Sequence, residues 1–473
     1  MNSIVLSVRF LLVILFCASA ALADVKLPRF ISNSMVLQRD RPIPVWGWAE
    51  PGEKVSVSFN GKTYNAQTGT DKKWQVSVDA TKAGGPFVMT VKGNNTIVIE
   101  DILIGDVWIC SGQSNMQFTL DKVKEKYSAE IASSANPQIR HFKVEPAVRY
   151  EPAVDVKSGG WKQANPENVS GFTAVGYFFA RELYSKYKVP IGLLHTSYGG
   201  TPAEAWVSAS TLQDFPHYLQ HTDEPAEGEQ LTSMQERRKP TVLFNGMVSP
   251  LIPYGIKGVI WYQGEANAKK GREYRQLFPA LIKEWREKWG QGDFPFLYVQ
   301  LANFQKAPDM PAESDWAELR EAQAMTLALP NTAMAVIHDI GEAKDIHPKN
   351  KKDVGLRLAL AARKVAYGDS KVVYSGPTLK SVKAEQNRLV LSFDHIGGGL
   401  VAKGGGDLKQ FAIAGPDKKY VWANARIEGD KVIVWHASVP DPVSVRYAWA
   451  NNPEGANLYN KAGLPASSFR TDK

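Results

Sequence analysis

Residues 108–118 read WICSGQSNMQF, an apolar run that stops at a cluster of small polar residues. The run is typical of a buried strand, and the residues after it favour a sharp turn into a helix. A serine at such a turn, here Ser114, often does no more than cap the helix. The same turn can also raise the hydroxyl beyond the end of a strand, where it can act as a nucleophile. The segments around this stretch bear on the choice.

Apolar strand-like runs alternate with helical segments from residue 105 to residue 370. The strand-like runs are 106–110, 191–197, 255–263, 294–302 and 332–339, and the main helical segments are 175–187, 274–289 and 351–367. Continuous apolar strands between helices are typical of a parallel sheet covered on both faces. We therefore predict a three-layer α/β/α domain over residues 105–370, which makes the chain an α/β protein.

Short alternating segments with turn residues between them flank this region on both sides. VSVSF (55–59) leads through Asn60-Gly61 towards KWQVSV (73–78), a pattern that predicts an N-terminal β-sandwich over residues 24–104. RLVLSF (388–393) and VSVRYAW (443–449) are typical strands of a second β-domain, predicted over residues 371–473.

The first 23 residues have the pattern of a secretory signal peptide. A short apolar run at residues 10–17 follows Arg9, and Ala21-Leu22-Ala23 provides a small-residue cleavage site before Asp24. The apolar run is too short to span a bilayer comfortably, so no membrane anchor is expected after cleavage. These features predict a secreted or periplasmic protein of a bacterium.

Charge and cysteine content exclude further classes. The formal net charge is +8 over 473 residues, and the chain has no dense basic block with interleaved aromatic residues, so nucleic-acid binding is disfavoured. Of the two cysteines, Cys17 belongs to the predicted signal. Cys110 is then alone, so no internal disulfide can form, and we expect a buried, inert thiol.

Unusual polar residues follow several strands of the predicted sheet. Ser114 follows the first strand, and further polar segments at residues 195–201, 263–267 and 345–348 follow later ones. In open α/β sheets reactive groups collect at the carboxyl ends of strands. Each residue taken alone is more often a turn or cap residue, but together they favour a catalytic site.

A serine nucleophile needs a base, and His347 is the candidate because it lies at a helix entry beyond a late strand. A carboxylate would orient the imidazole. Asp345 is the nearest in sequence, with Glu265 and Asp339 as rivals.

Acyl transfer also needs hydrogen-bond donors for the oxyanion. Candidates are the backbone amides near Ser114, those of Gly199 and Gly200, and the side-chain amide of Gln263 or Asn115. Glycines at such a place allow a close approach of the backbone to the reacting oxygen.

Other chemistries fit the sequence less well. His338 and His347 are too far apart for a helical metal-binding pair, HExxH is absent, and no GxGxxG follows an opening strand. A glycosidase using Glu265 and Asp345 is conceivable but leaves Ser114 and His347 without a role. A non-catalytic sugar-binding protein is the alternative from another class.

Several motifs resemble those of sialate O-acetylesterases, members of the SGNH-hydrolase superfamily with related acetylxylan esterases nearby. The resemblance lies in GQSNMQF (112–118), YGGTPAEAW (198–206), WYQGEANA (261–268) and DIHPKNKKDVGLRLA (345–359). Residues 35–61 resemble the family's opening β-domain, and residues 458–472 resemble its C-terminal end. The resemblance therefore covers nearly all of the chain after the signal.

The resemblance implies an SGNH-hydrolase-like fold and a serine esterase that needs no metal or organic cofactor. Ser114 matches the nucleophile, His347 the general base, and Gly199 or Gly200 the glycine that donates to the oxyanion. Gln263 stands where many superfamily members have an asparagine donor.

The motifs also depart from the superfamily pattern. The first block is GQS where the superfamily often has GDS, and Asp345 lies two residues before His347 instead of the usual three. The third member of the triad is therefore Asp345, Glu265 or a backbone carbonyl that supports a Ser–His dyad. The expected function is an exported sialate O-acetylesterase acting on an acetylated carbohydrate, with an acetylxylan or other plant-glycan esterase as the alternative.

Overall fold

The computed structural model of the protein describes residues 24–225 and 230–472. The predicted signal peptide at residues 1–23 lies outside the described residues. Within the described ranges, no helix has the length and apolar character needed to cross a membrane.

The N-terminal part of the chain forms two sheets. Its strands are β1 (Val36–Gln38), β2 (Ile43–Trp48), β3 (Lys54–Phe59), β4 (Lys62–Gln67), β5 (Lys73–Val78), β6 (Gly84–Lys92) and β7 (Thr96–Gly112). β2 and β5 pair antiparallel as one sheet, and the other sheet has the order β4-β3-β6-β7-β1. Alternate residues of β3 and β5 are buried, as their period-two pattern predicts.

The middle of the chain forms the predicted parallel sheet. Its further strands are β8 (Asn136–Lys143), β9 (Trp161–Ala164), β10 (Ile191–Ser197), β11 (Gly258–Tyr262), β12 (Phe296–Val299) and β13 (Thr332–Ala335). The strand order is β13-β12-β11-β7-β10-β8-β9. All neighbours are parallel except β9, which is antiparallel to β8 at one edge.

β7 connects the N-terminal sheet to the central sheet. This strand has 17 residues; its first half pairs with β6 and β1, and its second half pairs with β10 and β11. The domain boundary predicted at residue 104 therefore falls inside one continuous strand. The two sheets share their hydrogen bonding through β7, so the N-terminal strands brace the strand that leads to Ser114.

Helices cover both faces of the central sheet and so form the three predicted layers. The helices are α1 (Ser114–Gln117), α2 (Ser128–Ala132), α3 (Ala174–Tyr187), α4 (Pro216–Leu219), α5 (Ser233–Glu236), α6 (Gly271–Trp289), α7 (Asp315–Met325) and α8 (Lys351–Val365). Ile109 of β7 packs in the core that holds α6 and α7, whereas Trp108 and Cys110 pack in the core of α3 and α8. The α/β prediction is confirmed. Burial raises the pKa of the Cys110 thiol, which is fully buried as expected.

The last hundred residues return to β-structure. The strands are β14 (Thr378–Glu385), β15 (Arg388–Asp394), β16 (Leu400–Ala402), β17 (Phe411–Ala414), β18 (Val421–Trp422), β19 (Asn424–Glu428), β20 (Lys431–Trp435), β21 (Ser444–Tyr447), β22 (Leu458–Asn460) and β23 (Phe469–Arg470). They form one four-stranded sheet of order β14-β15-β20-β19, a second of order β18-β17-β21-β23, and the pair β16-β22.

Arg320 of α7 joins the C-terminal strands to the central layer. Its guanidinium is fully buried and donates to the carbonyls of Leu301 at 2.9 Å and Ala450 at 2.7 Å. Asp339 adds a second link, because it accepts hydrogen bonds from Arg357 of α8 and from the Tyr459 hydroxyl of β22. Buried charges held by several hydrogen bonds fix the relative position of two layers.

Gly355 of α8 allows α3 and α8 to pack closely. A Cβ at this position would lie 2.8 Å from both the Val175 carbonyl and the Phe179 amide of α3. In an isolated helix, replacing glycine with alanine stabilises by about 1 kcal/mol. Here the added methyl would push two backbones apart.

We therefore expect Gly355→Ala to lower the free energy of unfolding by about 1–3 kcal/mol, because overpacking outweighs helix propensity. Gly171→Ala is the control, since a Cβ there would meet nothing within 4 Å. Thermal and urea unfolding followed by circular dichroism measure both variants. A Gly355→Ala protein more stable than wild type would contradict this prediction, because it would show that α3 and α8 can move apart without a loss of stability.

Candidate active site

The turn after β7 depends on a glycine. Gly112 has φ of +128°, and a Cβ there would lie 2.2 Å from the Tyr262 carbonyl of the neighbouring strand β11. No side chain fits this approach, so only glycine allows the chain to leave the strand here. Gln113 follows in an extended conformation, and α1 begins at Ser114. The structure therefore places the serine just beyond the carboxyl end of β7, as the sequence predicts.

Ser114 and His347 lie in hydrogen-bond contact. The distance between Ser114 Oγ and His347 Nε2 is 2.9 Å, although 233 positions separate the two residues. His347 belongs to the segment between β13 and α8, and its side chain is 37% exposed. The pair is therefore both formed and open to solvent, which is the arrangement that a serine nucleophile and its base require.

Asp345 is the carboxylate closest to this pair. Its Oδ1 accepts a hydrogen bond from the His347 backbone N–H at 2.8 Å and lies 3.6 Å from the ring Nδ1. The second distance is long for a hydrogen bond, so Asp345 acts on the imidazole mainly through its charge. Asp339, one of the rivals, instead holds Arg357 and Tyr459.

The environment of His347 favours the neutral imidazole. Burial lowers the pKa of His347, and the positive charge of Lys351 lowers it further, whereas the negative charge of Asp345 raises it. The Phe118 ring stacks on the imidazole with 6.2 Å between ring centroids. A neutral imidazole can accept the proton of the serine hydroxyl.

The Asn115 side chain is buried next to Ser114 and is hydrogen-bonded to the protein, so it does not face a substrate. Its side chain is 1% exposed, and Nδ2 donates to Glu265 Oε1 at 2.6 Å and to the Ile346 carbonyl at 3.0 Å. Both amide hydrogens therefore have protein partners, which corrects the expectation that Asn115 donates to the oxyanion. Glu265 accepts one of these hydrogen bonds, and burial of its carboxyl group raises its pKa. It does not contact the imidazole.

Gln263 is also a structural residue. It is fully buried, and its Nε2 donates to Asn267 Oδ1 at 2.7 Å and to the Thr201 carbonyl at 3.3 Å. Its Oε1 accepts a hydrogen bond from the Tyr274 hydroxyl at 2.9 Å. No amide hydrogen remains for a substrate oxygen, so the expectation of Gln263 as an oxyanion donor is corrected.

Backbone amides are the remaining candidates for oxyanion donors. A Cβ at Gly199 would lie 3.3 Å from Ser114 Cβ, so this glycine lies directly against the nucleophile. Its N–H donates to Gln117 Oε1 at 3.0 Å, a side-chain contact that a substrate oxygen can replace. The Ser114 N–H has no hydrogen-bond partner within residues 24–225 and 230–472. Gly200 lies one residue further away, where its carbonyl accepts a hydrogen bond from Arg238.

A second serine–histidine pair lies inside the fold. His195 Nε2 and Ser197 Oγ are 2.5 Å apart, but both residues are buried in β10. Burial lowers the pKa of His195 to about 3. This pair has the hydrogen bond, but a substrate cannot reach the two buried side chains. We therefore assign the pair a structural role.

Sequence reasoning missed Lys351, which lies in the motif around His347. The side chain is fully buried, and its ammonium donates to Asn115 Oδ1. Its Nζ also lies 4.7 Å from the centroid of the Phe118 ring. A signal was available, because a lysine in the first turn of a helix opposes the helix dipole.

Comparison with known proteins identifies the family. Residues 104–364, more than half of the chain, match the family model described as carbohydrate esterase, sialic acid-specific acetylesterase. The human sialate O-acetylesterase is 31% identical over 93% of this chain and 91% of that protein. The mouse sialate O-acetylesterase is 31% identical over 97% of this chain and 96% of that protein.

A solved structure agrees with these matches. The crystal structure of a carbohydrate acetylesterase from Xanthomonas citri is 44% identical, with a TM-score of 0.88, and the match covers 95% of this chain and all of that one. The shared fold extends over the central sheet and both sets of flanking strands. The chain therefore belongs to the sialic acid-specific acetylesterase family of carbohydrate esterases, and it is an esterase.

Proposed function

We propose that the protein is an exported sialate O-acetylesterase that works through an acyl-enzyme on Ser114, with His347 as general base. The observation that carries the proposal is the 2.9 Å contact between Ser114 Oγ and His347 Nε2 at the carboxyl edge of the sheet. Acetylated carbohydrate is the substrate class that membership of the family implies.

The first half of the reaction forms the acyl-enzyme. Ser114 Oγ bonds to the acetyl carbonyl carbon while its proton passes to His347 Nε2, and the carbonyl oxygen becomes an oxyanion. The N–H groups of Ser114 and Gly199 would donate to that oxygen. The bond from the acetyl carbon to the sugar oxygen then breaks, and the proton on Nε2 passes to that oxygen.

Water completes the cycle. A water molecule gives a proton to His347 Nε2 and bonds to the acetyl carbon. The bond from that carbon to Ser114 Oγ then breaks, the proton on Nε2 returns to Oγ, and the acid leaves as acetate after it ionises. Asp345 would stabilise the imidazolium that forms in both halves, because its carboxylate lies 3.6 Å from Nδ1.

A cation beside the nucleophile supports an anionic sugar as substrate. Arg237 stacks over the Tyr198 ring at 4.8 Å, and its Nη2 lies 3.7 Å from the position of a Cβ on Gly200. Its Nη2 contacts Met234 Sδ at 3.2 Å, its Nε is buried without a hydrogen-bond partner, and Arg237 forms no salt bridge within residues 24–225 and 230–472. A guanidinium without a carboxylate partner suits the carboxylate of a sialic acid, whereas the xylose backbone of xylan has no such group.

Export is part of the proposal and rests on the sequence of residues 1–23. Protein recovered after expression with its native N-terminus should begin at Asp24, because the small residues Ala21 and Ala23 precede that bond. Cell fractionation and mass spectrometry of the N-terminal peptide measure this. A chain that stays in the cytoplasm with Met1 intact would contradict the proposed export and would leave the proposed esterase activity unaffected.

Ser114→Ala should lower kcat for p-nitrophenyl acetate by about 10⁴–10⁶-fold, since removal of a serine nucleophile removes the covalent route. A fluorophosphonate probe should label Ser114 of the wild type, as located by peptide mass spectrometry. Ser111→Ala is the matched control, because Ser111 is a buried serine three positions earlier whose hydroxyl has no partner. Full activity in Ser114→Ala would overturn the proposal.

Arg237→Ala should raise KM for O-acetylated sialic acid about tenfold. This factor corresponds to the loss of one charge-assisted hydrogen bond, about 1.5 kcal/mol. KM for p-nitrophenyl acetate and for acetylated xylo-oligosaccharides should not change, because neither carries a carboxylate. Arg272→Ala, which removes an 86% exposed cation, is the control. An equal effect on charged and neutral substrates would argue against sialate recognition and favour another acetylated glycan.

A further inference from the structure

We propose that Lys351 is a positioning residue of this active site. It holds Asn115 in the orientation that joins the Ser114 and His347 segments, and its positive charge keeps the His347 imidazole able to accept a proton. The catalytic consequence rests on the proposed function, whereas the effect on His347 itself does not.

Lys351 occupies a place that is unfavourable for a cation. It is the first residue of α8, it is fully buried, and its ammonium faces the rings of Phe118 at 4.7 Å and Tyr262 at 5.5 Å. Burial and the positive end of the helix dipole both disfavour its charge. Burial lowers the pKa of Lys351 to about 7. The Asn115 oxygen and the two aromatic rings offset this cost in part, so the ammonium is held against the residue that follows Ser114.

Lys351 acts together with two acceptors, Glu265 Oε1 and the Ile346 carbonyl, to orient the Asn115 amide. A lysine ammonium is only a donor, so it must face Asn115 Oδ1 and not Nδ2. With Oδ1 held by Lys351, Nδ2 points to the Ile346 carbonyl at 3.0 Å. Asn115 follows Ser114 in the chain and Ile346 precedes His347, so this one amide joins the two segments. A flipped amide would place an oxygen against the Ile346 carbonyl and push the segments apart.

The charge of Lys351 acts on His347 together with several other groups. Lys122, which lies over Phe118, also lowers the pKa of His347, and Asp345 raises it. The negative charges of Glu265, Asp345 and Glu342 favour the charged form of Lys351, and the positive charge of Lys122 disfavours it. Because the pKa of Lys351 is about 7, its charge is present in the acidic range, where a free imidazole would gain a proton. Lys351 therefore extends the pH range of a neutral His347 downwards.

Lys351→Met is the test, because methionine fills a similar volume without charge or donor. Removing the cation raises the pKa of His347, so the acidic limb of the kcat/KM profile for p-nitrophenyl acetate should move to higher pH by about one unit. kcat should fall by up to about tenfold at every pH, since Asn115 Oδ1 loses its donor and only Glu265 and the Ile346 carbonyl still orient the amide. Lys351→Arg keeps both charge and donor character, so its acidic limb should remain at the wild-type position.

Lys352→Met is the matched control. Lys352 is the next residue of the same helix, but its side chain is 45% exposed and pairs with Glu130 at 2.8 Å. The same change of charge there should leave rate and profile unaltered. Asp345→Asn removes a charge of opposite sign, so it should move the acidic limb to lower pH.

The titration of His347 gives a readout that does not depend on activity. In ¹⁵N-histidine-labelled protein, with His347→Gln to assign the signal, the imidazole pKa should rise in Lys351→Met and fall in Asp345→Asn. An unchanged His347 pKa in a folded Lys351→Met protein, as judged by thermal melting, would overturn the proposal. If Ser114→Ala stays active, the proposed function fails, and this titration still decides the role of Lys351.

Discussion

The hydrogen bond between Ser114 and His347 is the interaction on which the catalytic interpretation depends, and the central sheet makes it possible. β7, β11, β12 and β13 are consecutive parallel neighbours, so the segments after them open at the same edge. β7 is itself held at both ends, because its first half pairs within the N-terminal sheet. The N-terminal strands therefore brace the strand that leads to Ser114.

Burial distinguishes the two serine–histidine pairs of this protein. His195 and Ser197 are closer together than Ser114 and His347, yet burial lowers the pKa of His195 to about 3 and excludes any ester. His347 is partly exposed, and its pKa is set by a cation and a carboxylate that oppose each other. Proximity alone would select the wrong pair; solvent access and the surrounding charges select Ser114.

The hydrogen bonds of the buried polar side chains near Ser114 explain why the polar residues of the motifs do not all face the substrate. Asn115, Gln263 and Glu265 each follow a turn at the carboxyl edge, where backbone groups and loops must be held in place. The amides of Asn115 and Gln263 satisfy protein partners first, because an unpaired buried amide is costly. Backbone amides near Ser114 and Gly199 then remain as the candidate oxyanion donors of the proposed mechanism.

The sequence alone determined the alternation of strands and helices, the serine after β7, the histidine before α8 and the family. These features are local, because apolar periodicity and turn residues report on their own segments. Only the tertiary structure decided that one strand joins the two sheets and that Asn115 and Gln263 are already paired. It also decided that a buried lysine lies under the dyad. Such facts depend on which neighbours burial brings together across hundreds of residues, and no local pattern records them.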